Sequence, residues 1–185
     1  MKNEFYFPSS DGINQIHAIE WIPEGKPKAI FQMCHGMVEH IERYHDFATF
    51  LAKHGYYVVG HDHLGHGKSV VSAEKLGYFG EPNGNEYVIG DIHNLRIQTV
   101  EKYPNVPYFM LGHSMGSFLL RQYLGLYGEG LAGAIVMGTG EQPSIVLGAG
   151  KLVCKVIGAV KGWYYRSKFV DNLAVGSYKK KLGAA

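Results

Sequence analysis

The sequence has few of the features that mark secreted, membrane-spanning or nucleic-acid-binding proteins. Its 185 residues include two cysteines, Cys34 and Cys154, which lie far apart and exclude a disulfide scaffold. Reduced thiols favour a cytoplasmic protein. The first residues lack the apolar core of a signal peptide. No charge-free run reaches transmembrane length, because Glu141 interrupts the best candidate, residues 131–150. A net charge of +2 is too small to predict a nucleic-acid partner.

Short apolar runs alternate with helical patterns over most of the chain. The runs predict strands at residues 4–7, 16–21, 29–34, 56–60, 107–111 and 132–137. The helical patterns cover residues 41–54, 86–103 and 115–127. Such alternation predicts an α/β protein, with a mostly parallel sheet that has helices on both faces. Ligands of these sheets bind at the carboxyl ends of the strands.

One stretch predicts a nucleophile. Residues 112–116 read Gly-x-Ser-x-Gly, with Ser114 at the centre, between a predicted strand and a predicted helix. A serine at such a sharp turn has a strained backbone that exposes its hydroxyl, and flanking side chains would collide with the neighbouring strand and helix. The spacing therefore predicts that Ser114 is a nucleophile, with an ordinary glycine-rich turn as the alternative.

Two further motifs precede this one at the ends of predicted strands. Residues 35–40 read His-Gly-Met-Val-Glu-His, with Arg43-Tyr44 shortly after, and residues 62–69 read Asp-His-Leu-Gly-His-Gly-Lys-Ser. In this order and between these elements, the three motifs resemble the α/β-hydrolase fold. Within that fold they resemble the monoacylglycerol lipase/lysophospholipase-like branch, which is also called serine aminopeptidase-like.

The resemblance assigns a role to each motif. Ser114 would form an acyl-enzyme, and the oxyanion hole would consist of the backbone N–H groups of Met37 and Met115. The implied substrate is a small acyl ester or a lipid, and no cofactor or metal is expected. The 62–69 loop is expected to be structural.

The resemblance also implies a polar end to the substrate pocket. Glu39, Arg43 and His113 match positions that lie near the polar head group of the substrate in lipases of this kind. A local ion pair between Glu39 and Arg43 at the start of a helix is the alternative.

Residues 1–140 match the N-terminal part of the hydrolase core, and residues 141–185 occupy the position of the cap, or lid. Apolar side chains at helical spacing over residues 145–160 have Lys151 and Lys155 at their edge. This pattern suits peripheral contact with acyl chains or an anionic lipid surface, whereas burial of the same face on the body is the alternative.

The sequence lacks the two groups that α/β-hydrolases place after the nucleophile, an acid and then a histidine. All ten histidines precede Ser114, and Glu129, Glu141 and Asp171 do not match the position of the acid. We therefore expect an N-terminal portion of a hydrolase that lacks the last strands and has little activity alone. Its open sheet edge predicts association with another chain or copy.

Two alternatives from other functional classes remain open. His61, His63 and His66 have the spacing of zinc ligands in metal-dependent hydrolases, although Gly65 stands where such motifs have Asp. A catalytically dead hydrolase fold that serves as a binding module would explain the missing histidine.

Overall fold

The computed structural model describes residues 1–173. The strands are β1 (Lys2–Pro8), β2 (Gln15–Trp21), β3 (Ala29–Cys34), β4 (Tyr56–His61), β5 (Tyr108–His113) and β6 (Gly133–Met137). The α-helices include α1 (His45–Lys53), α2 (Gly84–Lys102), α3 (Met115–Tyr127) and α4 (Ser144–Lys161). Short 3₁₀ turns lie at Ile41–Tyr44, Gly67–Ser69 and Ala73–Lys75.

The strands form a six-stranded sheet in the order β1-β2-β4-β3-β5-β6. The pairs β1–β2 and β2–β4 are antiparallel, whereas β3–β4, β3–β5 and β5–β6 are parallel. Cys34 at the end of β3 lies opposite Gly112 in β5, so the loops after these strands leave the same edge of the sheet. The predicted α/β-hydrolase fold is confirmed.

Alternating side chains of the inner strands bury two separate cores. Ile30 of β3 and Met110 of β5 pack with α2 and α3 on one face. Their neighbours Phe31 and Leu111 pack with α1 on the other face. Successive side chains point to opposite faces of the sheet, and helices cover both faces. The inner strands are therefore apolar at nearly every position.

The helix expected over residues 41–54 is shorter than predicted. Residues 41–44 form a 3₁₀ turn, and the α-helix begins at His45. The N–H of Ile41 donates to Asp62 Oδ1 at 2.7 Å, which ties the start of this segment to the loop after β4. A bond to a residue twenty-one positions away cannot be read from helical periodicity.

Asp91 of α2 is a buried carboxylate that bonds the turn between β1 and β2. It accepts hydrogen bonds from the Ser9 hydroxyl at 2.9 Å and from the Ser10 N–H. Burial raises the pKa of Asp91 to about 6, because these bonds do not fully replace hydration of the anion. The charged carboxylate is therefore a net cost to the folded state at neutral pH.

We expect Asp91→Asn to stabilise the protein at pH 7. The pKa rises from 3.8 to about 6 on folding, so the amide should increase the free energy of unfolding by up to about 3 kcal/mol. The gain should shrink as the pH falls from 6 to 4, where wild-type Asp91 is itself protonated when folded. Urea unfolding at both pH values measures this, and a loss of stability at pH 7 would contradict it.

The chain divides into two compact units, Met1–Thr139 and Gly140–Ala185. In the first, β6 is an edge strand with Ile135, Val136 and Met137 all exposed. In the second, α4 exposes apolar side chains along its length. Within residues 1–173, no helix has both the length and the apolar character that a bilayer span requires.

Candidate active site

Ser114 lies at the junction of β5 and α3, in a conformation that non-glycine residues rarely adopt. Its φ is 53° and its ψ is −118°. The Ser114 N–H donates to the carbonyl of Met137 in the neighbouring strand at 2.9 Å. The Ser114 carbonyl accepts from the N–H of Ser117 at 2.9 Å and from its hydroxyl at 2.5 Å. These bonds on both sides hold the strained turn in place.

The two glycines of the motif allow the turn to pack against the sheet. A Cβ on Gly112 would lie 2.3 Å from the carbonyl oxygen of Gly116. A Cβ on Gly116 would lie 2.1 Å from the carbonyl oxygen of Cys34 at the end of β3. Both contacts are with backbone atoms, which no change of side-chain rotamer could relieve.

The loop after β3 borders the serine. A Cβ built on Gly36 would lie 3.1 Å from Ser114 Cβ, so the backbone of this loop passes directly beside Ser114. Met37 follows, with about half of its side chain exposed. Val38, in the same loop as Met37, has a φ of 58°, so this loop also has a strained backbone residue. Loop and serine therefore form one backbone-lined site.

The structure brings together Glu39, Arg43 and His113. Glu39 is buried, and its Oε1 accepts hydrogen bonds from the N–H of Gly36, from the Tyr44 hydroxyl at 2.8 Å and from His113 Nδ1 at 3.2 Å. Its Oε2 pairs with Arg43 Nη1 at 3.3 Å, so the local ion pair is also present.

Burial opposes ionisation of Glu39, but the bonds from Tyr44, Gly36 and His113 outweigh it and hold the pKa of Glu39 below its usual value. Glu39 is therefore an anion at neutral pH. Sequence reasoning missed Tyr44, although it belongs to the quoted motif. A tyrosine five residues after a glutamate carries no signal by itself.

The 62–69 loop is organised around the buried Asp62 carboxylate. Asp62 accepts hydrogen bonds from the N–H of Ile41 at 2.7 Å, from the N–H of Lys68 at 2.8 Å and from His17 Nδ1 at 2.8 Å. A Cβ on Gly67 would lie 2.2 Å from Asp62 Oδ2. The loop thus links β2, the segment before α1 and the end of β4.

His35 contacts the same region from the buried side. Its Nδ1 bonds the carbonyl of Gly36 at 2.7 Å, and its Nε2 accepts the N–H of His63 at 3.0 Å. Burial lowers the pKa of His35 to about 4, which keeps this imidazole neutral at physiological pH. No motif predicted this role.

The described residues do not support the zinc alternative. His63 Nδ1 lies 3.1 Å from His61 Nε2, so these two rings bond each other, while His66 Nδ1 bonds the carbonyl of Leu64 at 3.0 Å. Across residues 1–173, no group of three or more His, Cys, Asp or Glu side chains is arranged to hold a metal ion. The spacing of ligands in sequence does not by itself direct their nitrogen atoms to one point.

The family model described as serine aminopeptidase, S33, matches residues 25–181. The chain belongs to this family. It is 39% identical to monoglyceride lipase of Rattus norvegicus over 103 residues, which are 52% of this chain and 30% of that protein. It is 29% identical over 122 residues to monoacylglycerol lipase of Mycolicibacterium smegmatis, covering 66% of this chain and 41% of the relative.

Solved structures of similar fold include esterases and lipases. A thermostable carboxyl esterase from Bacillus coagulans superimposes with a TM-score of 0.83 at 33% identity, covering 93% of this chain and 55% of the other. A lipase in its open form gives a TM-score of 0.74 at 28% identity, covering 86% and 51%. The chain thus spans about half the length of these structures and less of the lipases compared by sequence.

This member of the S33 family contains no histidine after Ser114. Among the described residues, no imidazole nitrogen is hydrogen-bonded to the Ser114 hydroxyl. The adjacent ring of His113 directs its Nδ1 to Glu39 and Tyr44 instead, at 3.2 and 3.1 Å. Within residues 1–173, the Ser114 turn therefore has no hydrogen-bonded imidazole that could accept the proton of its hydroxyl.

Proposed function

We propose that this chain is the nucleophile-bearing part of a serine hydrolase that cleaves carboxylic esters. The observation that carries the proposal is the backbone of Ser114, strained at φ 53° between a parallel strand and a helix, with Gly36 alongside. An ordinary glycine-rich turn does not need a strained serine. The S33 family membership and the lipase and esterase relatives agree with this assignment.

In the proposed reaction, the Ser114 hydroxyl oxygen bonds the ester carbonyl carbon while its proton passes to water, and the carbonyl oxygen becomes an oxyanion. Collapse of this intermediate re-forms the C=O bond and expels the alcohol, which takes up a proton and leaves an acyl-enzyme that water hydrolyses. The N–H groups of Met37 and Met115 would donate to that oxygen. Met115 is the first residue of α3, where an N–H has no partner within the helix. Removing one such donor typically costs about 3–4 kcal/mol of transition-state stabilisation.

The polar end of the substrate would meet the cluster around Glu39. Arg43 has a largely exposed side chain and His113 a partly exposed one, while Glu39 is buried between them. We propose that Arg43 and His113 contact hydroxyl or phosphate groups of the substrate and that Glu39 holds them in position. This arrangement suits monoacylglycerols and lysophospholipids, in keeping with the monoglyceride lipase relatives.

Two surfaces fit the proposed interactions with partners. The apolar and lysine-bearing surface of α4 suits the cap role proposed for residues 141–185, with peripheral contact to lipid. The exposed apolar edge at β6 suits pairing with another chain or copy, which light scattering on the purified protein would detect. A cytoplasmic location stays a prediction.

A fluorophosphonate probe, which reacts covalently with activated serines, tests the nucleophile. We expect slow modification at Ser114, mapped by mass spectrometry of peptides, and none at that peptide in Ser114→Ala. Ser144 is an exposed serine at the start of α4, so Ser144→Ala is the matched control and should react as the wild type does. Labelling of other residues without labelling of Ser114 would contradict the proposal.

Hydrolysis of a chromogenic butyrate ester measures the missing proton acceptor. Without a histidine base, we expect turnover of the 185-residue chain to lie about 10⁴-fold or more below that of ordinary esterases. A turnover of about 10 s⁻¹ that Ser114→Ala abolishes would show that a general base for Ser114 lies within this chain. No turnover together with no probe reaction would favour the binding-module alternative.

A further inference from the structure

Gly36 is bonded by a side chain at each of its two backbone polar groups. Its N–H donates to Glu39 Oε1. Its carbonyl oxygen lies 2.7 Å from His35 Nδ1. Both side chains are buried, with 0% of His35 and 8% of Glu39 exposed. Two buried polar side chains are thus committed to the backbone of one glycine.

The direction of the His35 bond follows from its other nitrogen. The N–H of His63 donates to His35 Nε2 at 3.0 Å, so Nε2 must be the unprotonated nitrogen. The proton of the neutral ring therefore lies on Nδ1 and is donated to the Gly36 carbonyl. His35 and His63 together fix the orientation of that carbonyl from the buried side.

The carbonyl of Gly36 and the N–H of Met37 belong to the same planar peptide unit. In a trans peptide these two groups point in opposite directions, so fixing one fixes the other. Because the carbonyl is bonded on the buried side by His35, the Met37 N–H is directed away from it. The Cα of Gly36 lies beside Ser114, since a Cβ built on it would be 3.1 Å from Ser114 Cβ.

We propose that His35 and Glu39 form a clamp on Gly36 that keeps the Met37 N–H directed at the oxyanion position beside Ser114. Both are then positioning residues for ester hydrolysis, and neither touches the reacting atoms. The inference rests on the proposed function, because the Met37 N–H has this task only if an oxyanion forms at Ser114.

The glutamate side of the clamp extends beyond Gly36. Glu39 Oε1 also accepts from Tyr44 and His113, so one buried oxygen joins the loop after β3 to the residue preceding Ser114. The strained Val38 lies between Glu39 and Met37, and a backbone at φ 58° persists only where its surroundings hold it. Glu39 supplies that restraint.

The chain offers a selective reporter, since both proposed oxyanion donors are methionines. Labelling with ¹⁵N-methionine gives backbone amide signals from Met33, Met37, Met110, Met115 and Met137, because Met1 carries the terminal amine. Met37→Leu identifies the Met37 signal by its disappearance. The buried Met33 and Met110 report on the integrity of the sheet.

Two matched pairs of variants separate the clamp from general packing. His35→Asn retains a donor near the position of Nδ1, whereas His35→Gln retains a polar group near Nε2 and leaves the Gly36 carbonyl without its donor. Glu39→Gln retains an acceptor oxygen for the Gly36 N–H, whereas Glu39→Ala removes it. We expect the backbone order parameter of Met37 to fall from about 0.85 to below about 0.6 in His35→Gln and Glu39→Ala only.

A Met37 signal that stays unchanged and rigid in folded His35→Gln and folded Glu39→Ala would overturn the clamp. If His35→Gln loses the Met33 and Met110 signals as well, it has not folded, and the Glu39 pair decides. The rate of fluorophosphonate reaction at Ser114 should fall about 100-fold in the two disruptive variants relative to their partners. If wild-type Ser114 does not react at all, the proposed function fails, while the Met37 signal still decides the clamp.

Discussion

Replacing Gly116 by alanine is expected to destabilise the protein by at least about 3 kcal/mol, and we expect much of the variant to be insoluble. The new Cβ would lie 2.1 Å from the carbonyl oxygen of Cys34 and 2.6 Å from that of His35. Both oxygens belong to the end of β3 and the loop after it. Relief would require α3 to move away from the sheet, because no side chain in the contact can change its rotamer.

A second glycine of the same helix provides the control. Gly125 lies in α3, and a Cβ there would meet nothing within 4 Å. Alanine is favoured over glycine inside a helix, so Gly125→Ala should raise the free energy of unfolding by about 0.5–1 kcal/mol. Urea unfolding followed by circular dichroism compares the two variants. Equal stabilities of Gly116→Ala and the wild type would mean that α3 does not pack against β3 as described.

The sheet and the serine turn could be predicted because their determinants are local. A buried strand is a short apolar run, and the predicted runs at residues 29–34 and 107–111 correspond to β3 and β5. The glycines on either side of Ser114 mark a close backbone approach, and the structure shows which atoms approach. Patterns of this kind depend on neighbours along the chain.

The interactions that hold the site could not be predicted because they join distant residues. The bond between His35 and His63 spans β3 and the loop after β4, and its existence depends on the parallel pairing of these two strands. The 3₁₀ turn at Ile41–Tyr44 depends on a bond to Asp62. Asp62 and His63 both belong to a motif quoted from the sequence, yet the motif does not reveal their partners.

The Glu39 cluster lies between these two cases. Its residues could be listed from the resemblance, and the structure brings Glu39, Arg43 and His113 within hydrogen-bond or ion-pair distance. The burial of Glu39 could not be foreseen, because a glutamate in a polar stretch is usually exposed. That burial changes the proposed task of the carboxylate from contact with substrate to support of the loop.

Asp62→Asn is expected to destabilise the protein by about 3–5 kcal/mol at pH 6. The buried carboxylate accepts from two backbone N–H groups, those of Ile41 and Lys68, and from His17. An asparagine has one acceptor oxygen, and its NH₂ group would face an N–H donor that it cannot bond. Glu4→Gln removes the other, more exposed carboxylate partner of His17 and should cost less than about 1 kcal/mol.

The pH dependence of this loss distinguishes the carboxylate from a simple packing defect. Burial opposes ionisation of Asp62, but bonds from His17, Ile41 and Lys68 outweigh it and hold its pKa below 3.8. Its contribution is thus present above about pH 4 and lost as the pH falls through the folded pKa.

Burial lowers the pKa of His17, but hydrogen bonds to Asp62 and Glu4 outweigh this and raise it above 6.5. The charged imidazole therefore contributes fully to the free energy of unfolding below pH 6.5, and this contribution is lost as the pH rises through the folded pKa. The stability difference between wild type and Asp62→Asn should therefore be largest between about pH 4 and 6.5, and smaller on either side. A difference that does not change with pH would mean that shape alone, and not charge, makes Asp62 the centre of its loop.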